Sequence, residues 1–285
     1  MKLISVLDHL AATPITSEPA PRRALLAQLG RAAVAALPLG LATAQTATAG
    51  PLDTSYDAAL QLLMLERLQV ALYTQALAST GLIPTAQQPD FQRMLAHQTQ
   101  HATLLSQSLQ NAGAIVPARP AFDFSGRRNQ TSNPVLFPNI FTNFDNFLAL
   151  AQQIEDLGVR LYNVHAFNLV YDAALTSAVL RMLPVEAQHS AHIRGLRQGR
   201  GASVQQWPSD EDAAIARPTA AQALTTAATG NENNIAQFLS AGVAVPFDTL
   251  LRISYGTAIR DSSLPEAFDE PANTAAAQAA LNLFV

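Results

Sequence analysis

From residue 53 to residue 198, apolar residues recur at the spacing of amphipathic helices. Leu62, Leu63, Val70 and Tyr73 share one helical face with Glu66, because they stand at −4, −3, +4 and +7 from it. Comparable stripes follow along the chain. The pattern predicts an all-α domain with four helices, over residues 53–80, 88–112, 143–170 and 172–198.

The segments between these helices are short, long and short. Gly81 and Pro84 separate the first pair, and only a short break separates the last pair. The middle segment, residues 113–142, contains four prolines and is long enough to run the length of a bundle. This order is typical of a four-helix bundle with a long crossover between helices 2 and 3. Pro184 is predicted to kink the fourth helix or to make it restart.

The chain changes character after residue 199. Gly, Pro, Asn and Ser become frequent there, and only residues 217–227 and 272–283 predict short helices. We expect residues 50–200 to form the bundle and residues 201–285 to form an irregular C-terminal extension that packs on it.

Two segments of the chain are repeated in the same order. Residues 65–73 (LERLQVALY) match residues 154–162 (IEDLGVRLY) at an offset of 89 residues, with a glutamate second in each. Residues 93–101 (RMLAHQTQH) match residues 181–189 (RMLPVEAQH) at an offset of 88. Two matches at nearly the same offset indicate a duplicated helix pair.

Five polar residues of these segments lie within apolar stripes, where a carboxylate is costly unless it is paired or bound to a metal. Glu186 and His189 stand three residues apart, so they point to the same side of one helix and can bind one ion. A di-metal carboxylate site takes one Glu from each of two helices and a Glu-x-x-His pair from each of the other two. The residues that fit this pattern are Glu66, His101, Glu155, Glu186 and His189.

Gln98 departs from the pattern. It stands where the repeat has Glu186, and a neutral amide oxygen is a weaker ligand and a poor bridge between two ions. Gln98 is therefore a sixth candidate ligand, in a weakened half of the site. His97 is a candidate substitute, although its side chain points about 100° away from that of Gln98.

The glutamates also have a simpler interpretation. Glu66 and Glu155 could be buried carboxylates paired with an arginine or a tyrosine rather than with a metal. Tyr73 and Tyr162 are expected either to hydrogen-bond the ligand carboxylates or to be ordinary core aromatics.

The other histidines and acidic residues of the helices are not expected to bind metal. His192 is expected to lie behind the ligands or on the surface, and His165 to be structural. Asp156 and Asp172 are expected to be solvated or to cap helices.

The amino-acid composition limits which metal ligands and which partners the protein can have. The chain has no cysteine, which excludes disulfides, thiolate ligands and cysteine nucleophiles. Carboxylate, imidazole and amide ligands suit iron, manganese or zinc better than copper(I). With 13% charged residues, a net charge of −4 and no basic patch, nucleic acid is not expected as a partner. No apolar run reaches the length of a mature membrane span.

Residues 1–49 have the features of a cleaved leader. Arg22 and Arg23 precede a weakly apolar stretch over residues 32–44, and residues 47–49 match an A-x-A cleavage site. The adjacent arginines and the long n-region resemble a twin-arginine signal, which predicts export to the periplasm or cell envelope. The alternative is an uncleaved amphipathic helix.

The segments LERLQVALY, AHQTQH, QIEDLGVRLY and PVEAQHSAHIR resemble those of bacterial ferritin-like domain proteins. These proteins are often exported and are distantly related to plant desiccation-related proteins. The tail AFDEP at residues 267–271, followed by a final apolar helix, is also similar to that family, so the resemblance runs from about residue 22 to residue 285. It implies a ferritin-like four-helix bundle with a di-metal centre. The family's ligand pattern is matched by Glu66, His101, Glu155, Glu186 and His189, but not by Gln98.

The sequence is compatible with two functions. The first is a redox metalloprotein that holds one or two iron or manganese ions and acts with dioxygen or peroxide. The second is a non-enzymatic stress or envelope protein that keeps the fold with one metal ion or none. Gln98 favours the second, and the intact Glu-x-x-His pair disfavours it. The ligands alone do not decide whether the protein is an enzyme, and homo-oligomerisation also stays open.

Overall fold

Four long helices form the predicted bundle. The computed structural model describes residues 51–169, 172–230, 239–240, 243–244 and 270–285, so the predicted leader lies outside the described residues. The helices are α1 (Pro51–Ala78), α2 (Gln88–Asn111), α3 (Phe144–Asn168) and α4 (Ala173–Gly199). Their ends agree with the predicted ends to within two residues. The prediction of an all-α bundle with a long crossover between the second and third helices is confirmed.

Side chains next to the helices explain where they begin. Asn143 accepts a hydrogen bond from the N–H of Asn146 at the start of α3. Asp172 accepts from two N–H groups in the first turn of α4, which confirms the expectation that Asp172 caps a helix. In α2, Pro89 stands in the first turn, where its missing N–H has no intrahelical partner to lose.

The fourth helix continues through Pro184. The alternative in which the helix restarts at this residue is therefore wrong. Pro184 has no N–H for the carbonyl of Leu180, one turn earlier. Leu180 is 53% exposed, so water can replace the missing donor there.

The third helix lies at the centre of the domain. Eighteen of its 25 residues are buried, whereas a surface helix buries only one stripe. The bundle covers one side of α3, and the extension covers the other with two short helices. These are α5 (Gln222–Ala228), which follows a 3-10 turn at Thr219–Ala221, and α6 (Thr274–Leu281), which is followed by a 3-10 turn at Asn282–Phe284.

Arg160 of α3 attaches the extension by hydrogen bonds. Its buried side chain donates to the carbonyls of Ala227, at 2.8 Å, and Glu270, at 3.0 Å. The ring of Phe284 stacks on Phe137 of the crossover, with centroids 5.2 Å apart. Crossover and extension therefore belong to the same apolar core as the bundle.

A separate unit contains two strands of two residues each. β1 (Leu239–Ser240) and β2 (Val243–Ala244) pair antiparallel, with Leu239 opposite Ala244. The sequence pattern does not predict these strands. Among the described helices, none has the length and apolarity needed to cross a membrane.

Candidate metal centre

All six residues predicted to bind metal meet inside the bundle. They come from all four helices: Glu66 from α1, Gln98 and His101 from α2, Glu155 from α3, and Glu186 and His189 from α4. The three glutamates and Gln98 are fully buried. The side chains of His189 and His101 are 6% and 12% exposed, so the histidines form the edge of the cluster nearest to solvent.

Glu186 belongs to two groups of three residues with ligand-type atoms. One group also contains Glu66 and His101, and the other also contains Glu155 and His189. Its Oε1 lies 3.1 Å from His101 Nδ1 and 3.9 Å from His189 Nδ1. His101 Nδ1 is also 3.4 Å from Glu66 Oε1, and His189 Nδ1 is 3.6 Å from Glu155 Oε2. Within each group of three residues, the ligand atoms all lie within 4.8 Å of one another. Atoms that surround one ion at about 2.0–2.2 Å must lie this close together.

Five of these ligand-type atoms are buried without a hydrogen-bond partner among the described residues. They are Glu66 Oε2, His101 Nδ1, Glu155 Oε2, Glu186 Oε1 and His189 Nδ1. A buried polar atom without a partner costs about 1–3 kcal/mol, so native proteins contain few of them. The five atoms named above are all carboxylate oxygens or imidazole nitrogens of one cluster, a donor set that suits iron and manganese. The residues present therefore fit a metal centre.

Two tyrosines hold the other oxygens of the outer glutamates. Tyr73 of α1 donates to Glu155 Oε1 of α3, and Tyr162 of α3 donates to Glu66 Oε1 of α1. Both tyrosines are fully buried, and their hydrogen-bonding interpretation is confirmed. In the described part of the chain neither glutamate pairs with an arginine, but each pairs with a tyrosine through one oxygen, as the simpler interpretation also expects. Each carboxylate thus has one oxygen fixed by a phenol, and its Oε2 has no hydrogen-bond partner among the described residues.

Two amide groups hold the central carboxylate. Gln69 Nε2 lies 3.0 Å and Gln98 Nε2 lies 3.1 Å from Glu186 Oε2, and both donate to it. Gln98 therefore does face the cluster, as a hydrogen-bond donor to the glutamate that replaces it in the repeat. The amide oxygens of both glutamines have no hydrogen-bond partner among the described residues.

Gln69 is the residue of this site that the sequence pattern misses. The repeat aligns Gln69 with Gly158 of α3. A Cβ at Gly158 would lie 3.2 Å from Glu186 Oε2 and 3.4 Å from Gln69 Nε2, so the glycine provides the space that the amide fills. The sequence marks Gln69 only as a polar residue three positions after Glu66, on the same buried face. The repeat has a glycine at the matching position.

His97 contacts the outer side of His189 and belongs to neither group of ligand-type atoms. His97 Nδ1 lies 3.0 Å from His189 Nε2, and the two rings are stacked at 13°. A contact of this kind fixes the orientation of a ligand imidazole, and it leaves His189 Nδ1 to face the carboxylates.

The other histidines stand apart from the cluster, as expected. His192 is half-buried, 3.8 Å from a carboxylate oxygen of Asp90. His165 is buried, and its two ring nitrogens face Gln61 at 2.8 Å and Asn168 at 3.2 Å. His165 is therefore structural.

Asp156 is neither solvated nor a cap, and that expectation is wrong. Arg194 binds it with two parallel hydrogen bonds, of 2.9 and 2.7 Å, and Ser190 donates a third. Arg194 also reaches Asp212 of the extension at 2.5 Å. Because the extension covers this face of α3, a carboxylate that would be exposed on an isolated helix becomes a buried ion pair.

Burial and neighbouring charges separate the pKa values of the cluster. Burial, followed by the charge of Glu186, raises the pKa of Glu66 to about 8, and burial also raises the pKa of Glu155. Burial opposes ionisation of Glu186 as well, but His101 and His189 outweigh it and lower its pKa. Burial alone would lower the pKa of His101, but Glu186 and Glu66 raise it to about 10. Glu186 is therefore the central negative charge of the cluster.

A buried carboxylate–histidine cluster inside a four-helix bundle with one long crossover is the arrangement of the ferritin-like carboxylate proteins. Residues 57–199 match the sequence profile of the family described as "Ferritin-like domain". This match spans half of the chain, and the protein belongs to the ferritin-like domain family. A comparison with curated proteins found no match.

Proposed function

We propose that the protein is a metalloprotein that binds iron or manganese through Glu66, His101, Glu155, Glu186 and His189. The observation that carries the proposal is the set of five buried ligand atoms without hydrogen-bond partners. In a metal-free protein these atoms make no hydrogen bond, although both histidine nitrogens face carboxylate oxygens at 3.1–3.9 Å, and a bound cation would give them a partner. The chain has no cysteine and therefore no thiolate ligand, which is consistent with iron or manganese.

The chain's own residues would hold and orient such a centre. Burial raises the pKa of Tyr73 and of Tyr162 well above the ordinary value, so both phenols stay protonated and keep donating to the glutamates. The His97 contact orients His189. The partly exposed ring of His101 is the nearest point of the cluster to solvent, where a small molecule could approach.

We further propose redox chemistry with dioxygen or peroxide. When bound, iron or manganese supplies one-electron chemistry that no side chain of this cluster offers. A second candidate function is a non-enzymatic stress or envelope protein with one metal ion or none. Gln98 favours that candidate, because it removes one of the four carboxylates that neutralise two cations in a di-metal carboxylate site.

Metal analysis tests the metal-binding proposal. Purified protein would be reconstituted with Fe(II) without oxygen and with Mn(II), desalted, and analysed by plasma emission. Glu186→Gln should lose the metal, because it removes the charge shared by both groups of ligand atoms. Glu211→Gln, at an exposed carboxylate, is the control and should retain it. Metal content in the parent no higher than in Glu186→Gln would refute the proposal.

Turnover separates the two candidate functions. The metal-loaded parent would be supplied with peroxide, and separately with dioxygen and a reductant, while consumption is followed. Rates above those of the same concentration of free ion support the redox proposal. A protein that keeps its metal and adds nothing to the rate of the free ion supports the non-enzymatic candidate.

A further inference from the structure

Two of the positions at which the halves of the repeat differ bring amide groups to Glu186. The second half has Glu186 where the first has Gln98, and Gly158 where the first has Gln69. Both glutamines are fully buried. Their amide nitrogens point at the same atom, Glu186 Oε2, at 3.0 and 3.1 Å. We call these two amides, together with the oxygen they hold, the amide clamp.

The amide clamp changes what Glu186 can offer to a metal. A carboxylate that bridges two ions through both of its oxygens uses one oxygen for each. Two N–H donors occupy Oε2, whereas Oε1 accepts no hydrogen bond from the described residues. Oε1 is also the atom that both groups of ligand atoms share. Glu186 therefore presents a single oxygen, at the junction of the two groups.

The charges of the cluster also favour a single bound ion over two. With neutral histidines, Glu66, Glu155 and Glu186 give three negative charges. One divalent ion leaves one negative charge, which the hydroxyls of Tyr73 and Tyr162 and the amide clamp stabilise by donating hydrogen bonds. Two divalent ions would leave a buried positive charge, and these four donors cannot stabilise it.

We propose that the amide clamp restricts the centre to one metal ion per chain. The inference rests on the proposed function, because it specifies how many ions the same site accepts. Gln69 and Gln98 act here as positioning residues, since they work through Glu186. The repeat supplies the comparison, because the second half has a glycine and a glutamate at the two positions that form the clamp in the first half.

The test gives the first half of the repeat the residues that the second half has at the two clamp positions. Parent, the double variant Gln69→Gly with Gln98→Glu, and the control Gln100→Glu would each be loaded with excess Mn(II). Gln100 is an exposed residue of α2, so the control adds the same charge to the same helix outside the site. Native mass spectrometry counts the ions per chain, and the Mn(II) electron paramagnetic resonance spectrum distinguishes an isolated ion from an exchange-coupled pair.

We expect one isolated ion in the parent and in Gln100→Glu, and a coupled pair in the double variant. A coupled pair in the parent would overturn the inference while leaving the proposed function intact. So would a folded double variant that still holds one ion. A parent that binds neither Mn(II) nor Fe(II) would defeat the proposed function and this inference with it.

A second variant keeps the test valid if the double variant does not fold. Gln98→Glu alone adds the fourth carboxylate and removes one of the two donors to Glu186. It would be refolded in the presence of Mn(II), which compensates the added charge. We expect a second ion at higher Mn(II) concentration than the double variant requires. One ion at every concentration would overturn the inference.

Discussion

Tyr73 on α1 donates a hydrogen bond to Glu155, which stands 82 residues later on α3. The reciprocal bond runs from Tyr162 on α3 to Glu66 on α1. Each helix therefore fixes the carboxylate of the other. These two bonds fix one oxygen of each outer glutamate, and in the described part of the chain the second oxygen accepts no hydrogen bond.

Replacing Tyr73 with phenylalanine should destabilise the metal-free protein by about 1–3 kcal/mol, because Glu155 Oε1 would be buried without a partner. Metal affinity should also fall, since the carboxylate loses its orientation. Urea unfolding with chelator and Mn(II) titration would measure both effects. The control Tyr56→Phe removes an exposed hydroxyl and should change stability by less than about 0.5 kcal/mol. Equal effects of the two variants would contradict the role given to Tyr73.

Gly158→Ala should weaken metal binding without harming the helix. The new Cβ would lie 3.2 Å from Glu186 Oε2, so the carboxylate must shift by a few tenths of an ångström. We expect a fall in Mn(II) affinity of about tenfold or more, the usual range for disturbed outer contacts of a metal ligand. Gly195→Ala in α4 is the matched control, because its Cβ would meet Gln206 at an ordinary 3.6 Å. If the control loses as much affinity, the close approach at Gly158 is not the cause.

The buried ion pair of Asp156 and Arg194 should be essential for stability. Asp156→Asn leaves a buried guanidinium with reduced compensation, at a cost of about 3–5 kcal/mol. The matched control is Asp145→Asn, which breaks the exposed pair with Arg200 and should cost less than about 1 kcal/mol. Chemical denaturation of the three proteins decides the matter, and similar losses in both variants would count against a structural role for the buried pair.

His165 should make the protein less stable in mild acid. Burial lowers the pKa of His165 from 6.5 to about 4 in the folded protein. Between these values the unfolded chain binds a proton that the folded chain does not, so stability falls as the pH drops from 6.5 towards 4. Between pH 7.5 and pH 5 the parent should lose about 2 kcal/mol more than His165→Gln.

The comparison of parent and His165→Gln isolates this residue, because every other group titrates in both proteins. Unfolding free energies would be measured at intervals from pH 7.5 to pH 5, with chelator present so that metal binding does not contribute. Parallel pH profiles for the two proteins would show that His165 is not the titrating group.

The predicted leader gives a prediction about the mature protein. Arg22 and Arg23 and the cleavage pattern at residues 47–49 predict cleavage near Gly50 after twin-arginine export. Mass spectrometry of protein from the envelope fraction should therefore find a mature chain that begins near Gly50. Lysine at both arginine positions should retain the protein in the cytoplasm. An envelope protein with an intact Met1 would rule out cleavage.

The helices and the ligand cluster could be predicted because their signals are local or repeated. Apolar spacing and the capping group of Asp172 locate the helices, and the repeat brings Glu66 and Glu155 into equivalent positions. Gln69 could not be predicted to bind Glu186, because its partner lies 117 residues away and many buried glutamines serve only packing. The burial of Asp156 could not be predicted for a related reason, since periodicity places Asp156 on a helix but does not show that the extension covers it.

The crossed tyrosine bonds also bear on how the chain could be divided. A cut within the exposed residues 128–132 of the crossover would leave two helical hairpins, α1–α2 and α3–α4. Each hairpin would carry a phenol and a carboxylate whose partners belong to the other hairpin. Neither fragment can satisfy its own buried groups, so the two halves are suited to split-protein complementation. Metal-dependent reassembly of the fragments would then report that the two hairpins have docked.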